Sequence, residues 1–276
     1  MKNVLKIFGF ITLISFSFFY TDKVMNVVSE QDPLKIQINE LAESYKIYPN
    51  EAIISEDTII PGINGRVVNV DKSYKKMRKD NIFNRNMLVY DILYPKDKLE
   101  YNLDKYVIRG NVNKKEVSIL FIIKNNTNID KLINILDSKK IGVNLFIEYK
   151  YLNNNINKVK SLINHNIYSY QEEYSYESLV ISNNIIKRIL NSNSKYCLSK
   201  EKNSNNINVC SYSNMNTIIP SFVENINDLK LKLENGSIIL LDTSLDSINS
   251  LSYVIDFIKG KGYNIVSLDD LLDENF

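Results

Sequence analysis

A chain of 276 residues, 44% of them hydrophobic and 24% charged, has enough apolar material for one large core and a smaller companion, which excludes a disordered chain. Its 34 basic and 32 acidic residues leave a net charge of +2 with no Lys/Arg block, so a nucleic-acid partner is not expected. His165 is the single histidine, and a site built on two imidazoles is therefore impossible.

The first element is Val4–Tyr20, apolar except for Lys6 and small hydroxyl residues, with Lys2 ahead of it. This is the pattern of an export signal at the short limit of a spanning helix, its positive flank staying in the cytoplasm. The expectation is an uncleaved signal anchor over residues 1–21 that holds the bulk of the chain outside the cell membrane. Two alternatives stay open: cleavage at Ser15-Phe16-Ser17 with secretion, or a buried core helix.

Residues 22–110 read as a tether followed by a small α+β region. Leu34, Ile36, Ile38 and Leu41 mark a short element of unassigned type. Pro61-Gly62 and Asn64-Gly65 turns separate Ile59-Ile60 from Val67-Val68, which predicts strands joined by tight turns. Asp71 starts a short amphipathic helix with Tyr74, Met77 and Arg78 at helical spacing, and strands are expected over 87–93 and 106–108.

After Gly110-Asn111 the pattern becomes regular, and 111–276 reads as one α/β domain. Val117–Ile123 is a buried strand, Ile129–Leu136 a one-sided helix, and Val143–Ile147 a second strand. A helix through Val159, Leu162 and Ile163 ends near Asn164-His165, where His165 is expected to cap carbonyls. Another helix covers 178–190. The stretch 191–216, rich in Asn, Ser and Lys, is expected to be a loop whose composition reflects a low-GC genome's codon bias. Within it Cys197 and Cys210 are a candidate disulfide, provided the chain matures in an oxidising compartment.

The last stretch, Gly236–Leu272, reads strand, helix, strand: an apolar run from Ile238 to Leu241, then Leu251, Val254, Ile255 and Ile258 at helical spacing, then Tyr263 to Leu268. Such a unit covers one face of a parallel sheet with its helix. GSIILL, a helix and KGYNIVSLDDLL in that order resemble the C-terminal end of the polysaccharide deacetylases, carbohydrate esterase family four-like. These are metal-dependent enzymes that remove acetyl groups from chitin, peptidoglycan and related glycans. The resemblance covers roughly 114–272, and a PGINGR turn followed by SYKKM is similar to a segment preceding such domains in membrane-anchored Gram-positive proteins. It implies a deformed (β/α) barrel with its site at the C-terminal ends of the strands.

The resemblance also locates the residues the family's chemistry needs. Ile122 and Ile123 stand where the family has its Asp-Asp pair, general base and metal ligand, and isoleucine can do neither task. Tyr170 and Tyr174 stand at the positions of the two histidine ligands, and neutral phenols are poor zinc ligands. Asp242 replaces the general-acid histidine of the last strand; it could donate a proton only if burial raised its pKa, and a loop or helix-cap role is the simpler reading.

The implied protein is a degenerate, inactive deacetylase-like module of the cell envelope with no metal cofactor, where active relatives hold zinc. Its partners would be a cell-wall glycan or an envelope protein. Tyr149, Tyr151, Tyr168, Tyr170, Tyr174 and Tyr176 fall in or after strand ends and could line a cleft that stacks on sugar rings, or they could be ordinary packing in a chain with 18 tyrosines. The competing reading is an active N-deacetylase with a rearranged site recruiting Glu148, Glu172 or Asp242. Glu148, Glu172 and Glu173 could also gather around Ca or Mg, although ordinary surface carboxylates explain them.

Overall fold

The computed structural model describes residues 11–18 and 30–275. Residues 11–18 are helical and exposed, the rest of Val4–Tyr20 lies outside the described residues, and no described helix is long and apolar enough to cross a membrane. In chain order the elements are α1 (Pro33–Ala42), β1 (Ile53–Ile54), β2 (Thr58–Ile60), β3 (Gly65–Val68), α2 (Val70–Met77), β4 (Tyr90–Leu93), β5 (Tyr106–Val107) and β6 (Glu116–Ile123). Then come α3 (Ile129–Ser138), β7 (Asn144–Glu148), α4 (Tyr149–Asn154), α5 (Ile156–Lys160), β8 (Asn166–Tyr170), α6 (Tyr176–Leu190) and β9 (Tyr196–Leu198). The chain ends with α7 (Ser204–Tyr212), β10 (Asn216–Ile218), β11 (Ser221–Val223), α8 (Ile226–Lys232), β12 (Ile238–Leu241), α9 (Leu245–Gly260), β13 (Asn264–Ile265) and α10 (Leu268–Leu271).

Two compact units result. One takes in the described residues up to Pro49 together with Asn64–Tyr94; the other takes Asn50–Ile63 and the chain from Pro95 onward. The expected boundary at 110/111 is therefore not where the chain divides. The reason is strand pairing: β2 and β5 are too short to stand alone, and Thr58 aligns with Tyr106 while Thr217 aligns with Tyr106 from the other side.

In the smaller unit, β3 and β4 form an antiparallel pair, and Leu34 and Ile38 of α1 pack with Val68, Met77 and Leu88. The element left unassigned in the sequence is thus a helix. Asp32 accepts the N–H of Leu34 at 2.9 Å and Pro33 occupies the first turn, where its missing N–H costs nothing.

The larger unit is a mixed α/β fold with two sheets, ordered β1-β2-β5-β10-β9 and β11-β12-β6-β7-β8, with β13 paired to the start of β6. Every pairing except β1 with β2 is parallel. Strand alternation sorts the apolar runs into two cores. Leu120 and Ile122 of β6, Phe146 of β7, Tyr168 of β8, Leu198 of β9 and Leu240 of β12 share an interior cluster. Ile119, Phe121 and Ile123 point the other way and pack with Leu132 of α3 and Leu251 and Ile255 of α9. This is why the run has no polar residue from Ile119 to Ile123: both faces are buried.

Leu268 and Leu271 of α10 also enter the interior cluster. Asn144 fixes that end, accepting the Leu268 N–H at 2.9 Å and donating to the Ile119 carbonyl at 3.1 Å. At Gly236, φ is +78°, and a Cβ there would lie 2.4 Å from the Gly110 carbonyl oxygen, so only glycine fits this entry to β12.

The stretch 191–216 is not a loop, because it holds β9, α7 and the first residue of β10. Its asparagines do structural work. Asn191 ends α6 in the left-handed region, and the Asn203 side chain accepts the Asn206 N–H at the start of α7. Cys197 of β9 and Cys210 of α7 are joined as a disulfide.

Candidate functional site

A cavity of about 490 Å³ is lined by residues at or just beyond the ends of β6, β9 and β12, together with Pro220 and Phe222 at β11. Its floor is apolar, formed by Ile122, Leu240 and Leu241, and its rim carries Lys124, Asn126, Lys200, Phe222, Asp242 and Thr243. Ile122, 8% exposed, faces this space; Ile123, fully buried, belongs to the helix-facing core. The two isoleucines therefore do not share a site.

Beside the cavity a single carboxylate collects three partners. Glu172 accepts the Tyr170 hydroxyl at 2.8 Å, its other oxygen lies 3.2 Å from Lys200 Nζ, and Lys124 Nζ stands at 3.6 Å. Burial by itself would push the Glu172 carboxyl up, but the Tyr170 hydroxyl and the two ammonium groups outweigh it and hold the carboxyl below its usual range. Tyr170 is pushed the other way, first by burial and then by its hydrogen bond to Glu172 and that group's charge, so it stays a neutral phenol. The Asn206 side chain donates to the Glu172 carbonyl at 3.1 Å, which anchors this loop to α7.

Asp242 shares the cavity with Ile122, and its surroundings favour the carboxylate over the acid. Burial would raise its carboxyl, yet hydrogen bonds from Ser244, the Thr243 N–H and Ser247 prevail and lower it. The Ser244 N–H reaches Asp242 Oδ2 at 3.1 Å, just ahead of α9, where a carboxylate also meets the positive end of the helix dipole. The condition under which this residue could act as an acid is thus not met.

Tyr174 lies outside the cavity. It is buried with Leu179, Cys197, Cys210 and Met215; its hydroxyl accepts the Leu198 N–H at 3.1 Å and donates toward the Ser169 carbonyl at 3.4 Å. His165 is buried but caps nothing, since neither ring nitrogen has a partner, and burial holds its pKa down. The tyrosine cleft does not form. Tyr151, Tyr168, Tyr170 and Tyr174 are buried, Tyr168 stacks on Phe146 at 5.0 Å between ring centres, Tyr149 is half-buried, and Tyr176 packs edge-on against Tyr212 at the surface.

The donor set does not fit zinc. Of the four ligand and base positions only Ile122 lines the cavity, and the charged groups around it are the Lys124 and Lys200 ammoniums and a single carboxylate, Asp242, already held by hydrogen bonds. Among the described residues no three His, Cys, Asp or Glu side chains gather as a metal site. Lys124 and Lys200 are the residues that sequence reasoning missed. Their signal was position: Lys124 directly follows β6, and Lys200 stands two residues after β9.

No protein-family model matches the sequence. The chain is 25% identical over 91% of its length to the uncharacterized protein YlxY of Bacillus subtilis, covering 86% of that protein. In three dimensions it superposes on BA3943 of Bacillus anthracis, a CE4 family pseudoenzyme, with a TM-score of 0.65 and 22% identity, over 89% of this chain and 96% of that one. The fold is that of the CE4 deacetylases. The Bc1960 peptidoglycan N-acetylglucosamine deacetylase, with a TM-score of 0.53 and 20% identity, matches 60% of this chain and 92% of its own. The CE4 likeness agrees with a mixed α/β unit whose parallel strands end at one mouth.

Proposed function

We propose that this chain is a degenerate CE4 protein, catalytically inactive, that serves at the cell envelope as a glycan-binding or interaction module. The observation that carries the reading is the mouth itself. Where the resemblance calls for a base and a cation, there is Ile122 and, beside it, a carboxylate already neutralised by Lys124 and Lys200. An isoleucine cannot take a proton from water, and ammoniums repel a divalent ion. BA3943, described as a pseudoenzyme of the same fold, supports such a role, and a mutant of it is described as having restored enzymatic activity.

The remaining open cavity, with Phe222 45% exposed at its rim among Lys, Asn and Thr side chains, suits a sugar ring: an apolar face to stack on and donors for hydroxyls. The apolar, Lys-led segment Val4–Tyr20 supports placement outside the cell, either membrane-anchored or secreted. The test is acetate release from acetylated glycan oligomers by the full chain with added zinc, together with metal analysis and oligomer binding. The expected result is binding without release and without stoichiometric metal. Release that is lost in Glu148→Gln, Glu172→Gln or Asp242→Asn would make the rearranged-site enzyme the correct reading.

A further inference from the structure

At the opposite end of the larger unit, where the parallel strands begin, two cavities lie on either side of Tyr263. One, of about 420 Å³, is lined by Lys115, Lys230, Lys261 and Phe257; the other, of about 360 Å³, by Lys140 and Lys259; both reach Tyr263. No Asp or Glu lines either cavity, and none of the five lysines forms a salt bridge among the described residues. In a chain whose net charge is only +2, a local set of five cations without a carboxylate is a marked imbalance.

Ordinary structural roles explain part of it. Lys230 and Lys259 sit in the last turns of α8 and α9, where the helix dipole favours them, and Lys261 caps α9. Lys115 has only the Tyr263 ring, 5.5 Å from its Nζ, and Lys140 has no such reason. Lys140 adopts φ of +53° just past α3, a position that favours Gly or Asn, so a lysine is kept there against backbone preference. Gly262, at φ +80°, leaves the Lys115 ammonium room: a Cβ there would stand 2.9 Å from Nζ.

We propose that this end of the fold is a binding site for a linear polyanion carrying repeated phosphate groups. In the larger cavity the ammoniums come from three separate elements, an arrangement that suits the tetrahedral oxygens of a phosphate better than the planar pair of a carboxylate. Two such cavities sharing Tyr263 suit successive phosphates on one chain. A flat lipid surface fits less well, because the lysines line concavities and the rings of Phe257 and Tyr263 between them are half-buried.

The test uses the full chain with long-chain inorganic polyphosphate at low and high salt. Lys115→Gln combined with Lys140→Asn removes one cation from each cavity and keeps a residue that tolerates the left-handed turn. Expected are salt-sensitive binding, an affinity loss of about tenfold in this double variant, and little change in Lys150→Gln combined with Lys187→Gln, which lie outside both cavities. An equal loss in the two pairs, equal affinity for polyglutamate, or loss confined to phosphatidylglycerol vesicles would each overturn the proposal. The last of these would assign the face to a membrane surface instead. Both substituted lysines are exposed, so the melting temperature should hold.

Discussion

The hydroxyl of Tyr174 accepts the main-chain N–H of Leu198 at 3.1 Å, tying the loop after β8 to the end of β9. The side chain at a position the resemblance assigns to a metal ligand thus serves as an internal staple. Tyr174→Phe keeps the ring but leaves a buried N–H without a partner, which should destabilise the fold by about 1–3 kcal/mol. Urea denaturation of the two proteins measures it, and an unchanged midpoint would mean that water replaces the bond.

The opposite directions of Ile122 and Ile123 give a paired prediction. Ile123→Asp places a charge in the helix-facing core and should cost about 3–5 kcal/mol or prevent folding. Ile122→Asp puts its carboxylate at the cavity floor, whose rim carries the Lys124 and Lys200 ammoniums, and should cost much less. Thermal melts of both variants decide it; equal losses would mean that the two side chains share one environment.

His165 sets part of the acid limb of stability. Its folded-state pKa is held below 6.5 by burial, so its contribution is fully present above that value and is lost as pH falls through the lower folded pKa. The melting temperature should therefore begin to drop as pH falls below about 6.5, and His165→Gln should flatten that first part of the curve. A variant with the same pH profile as the parent would remove His165 from the account.

The Cys197–Cys210 bond closes a short loop, the bonded residues standing 13 positions apart in the chain. Cys197→Ser with Cys210→Ser should lower stability by about 3 kcal/mol in the chain-entropy account. Because Asn206 of α7 holds the Glu172 carbonyl, loosening α7 should also raise amide exchange around Glu172. Exchange that rises only within α7 would show that the helix does not support the mouth.

The sequence by itself determined the layers. Continuous apolar strands such as 117–123 and the one-sided helix through Leu251 and Ile258 have no stable solution except a buried parallel sheet under helices, because their periodicity dictates which faces must leave water. The chemistry that Ile122 lacks was equally legible, since a hydrocarbon cannot become a base in any fold. Strand parity at the mouth was decided only in three dimensions: consecutive isoleucines look alike in the sequence, yet alternation turns one to the cavity and the other to α3 and α9. Long-range pairing decided the rest. Lys124 and Lys200 meet at Glu172 because strands distant in the chain end together, β2 and β5 join the larger unit because β5 pairs with β2 on one side and with β10 on the other, and four tyrosines became packing because the interior had room for their rings.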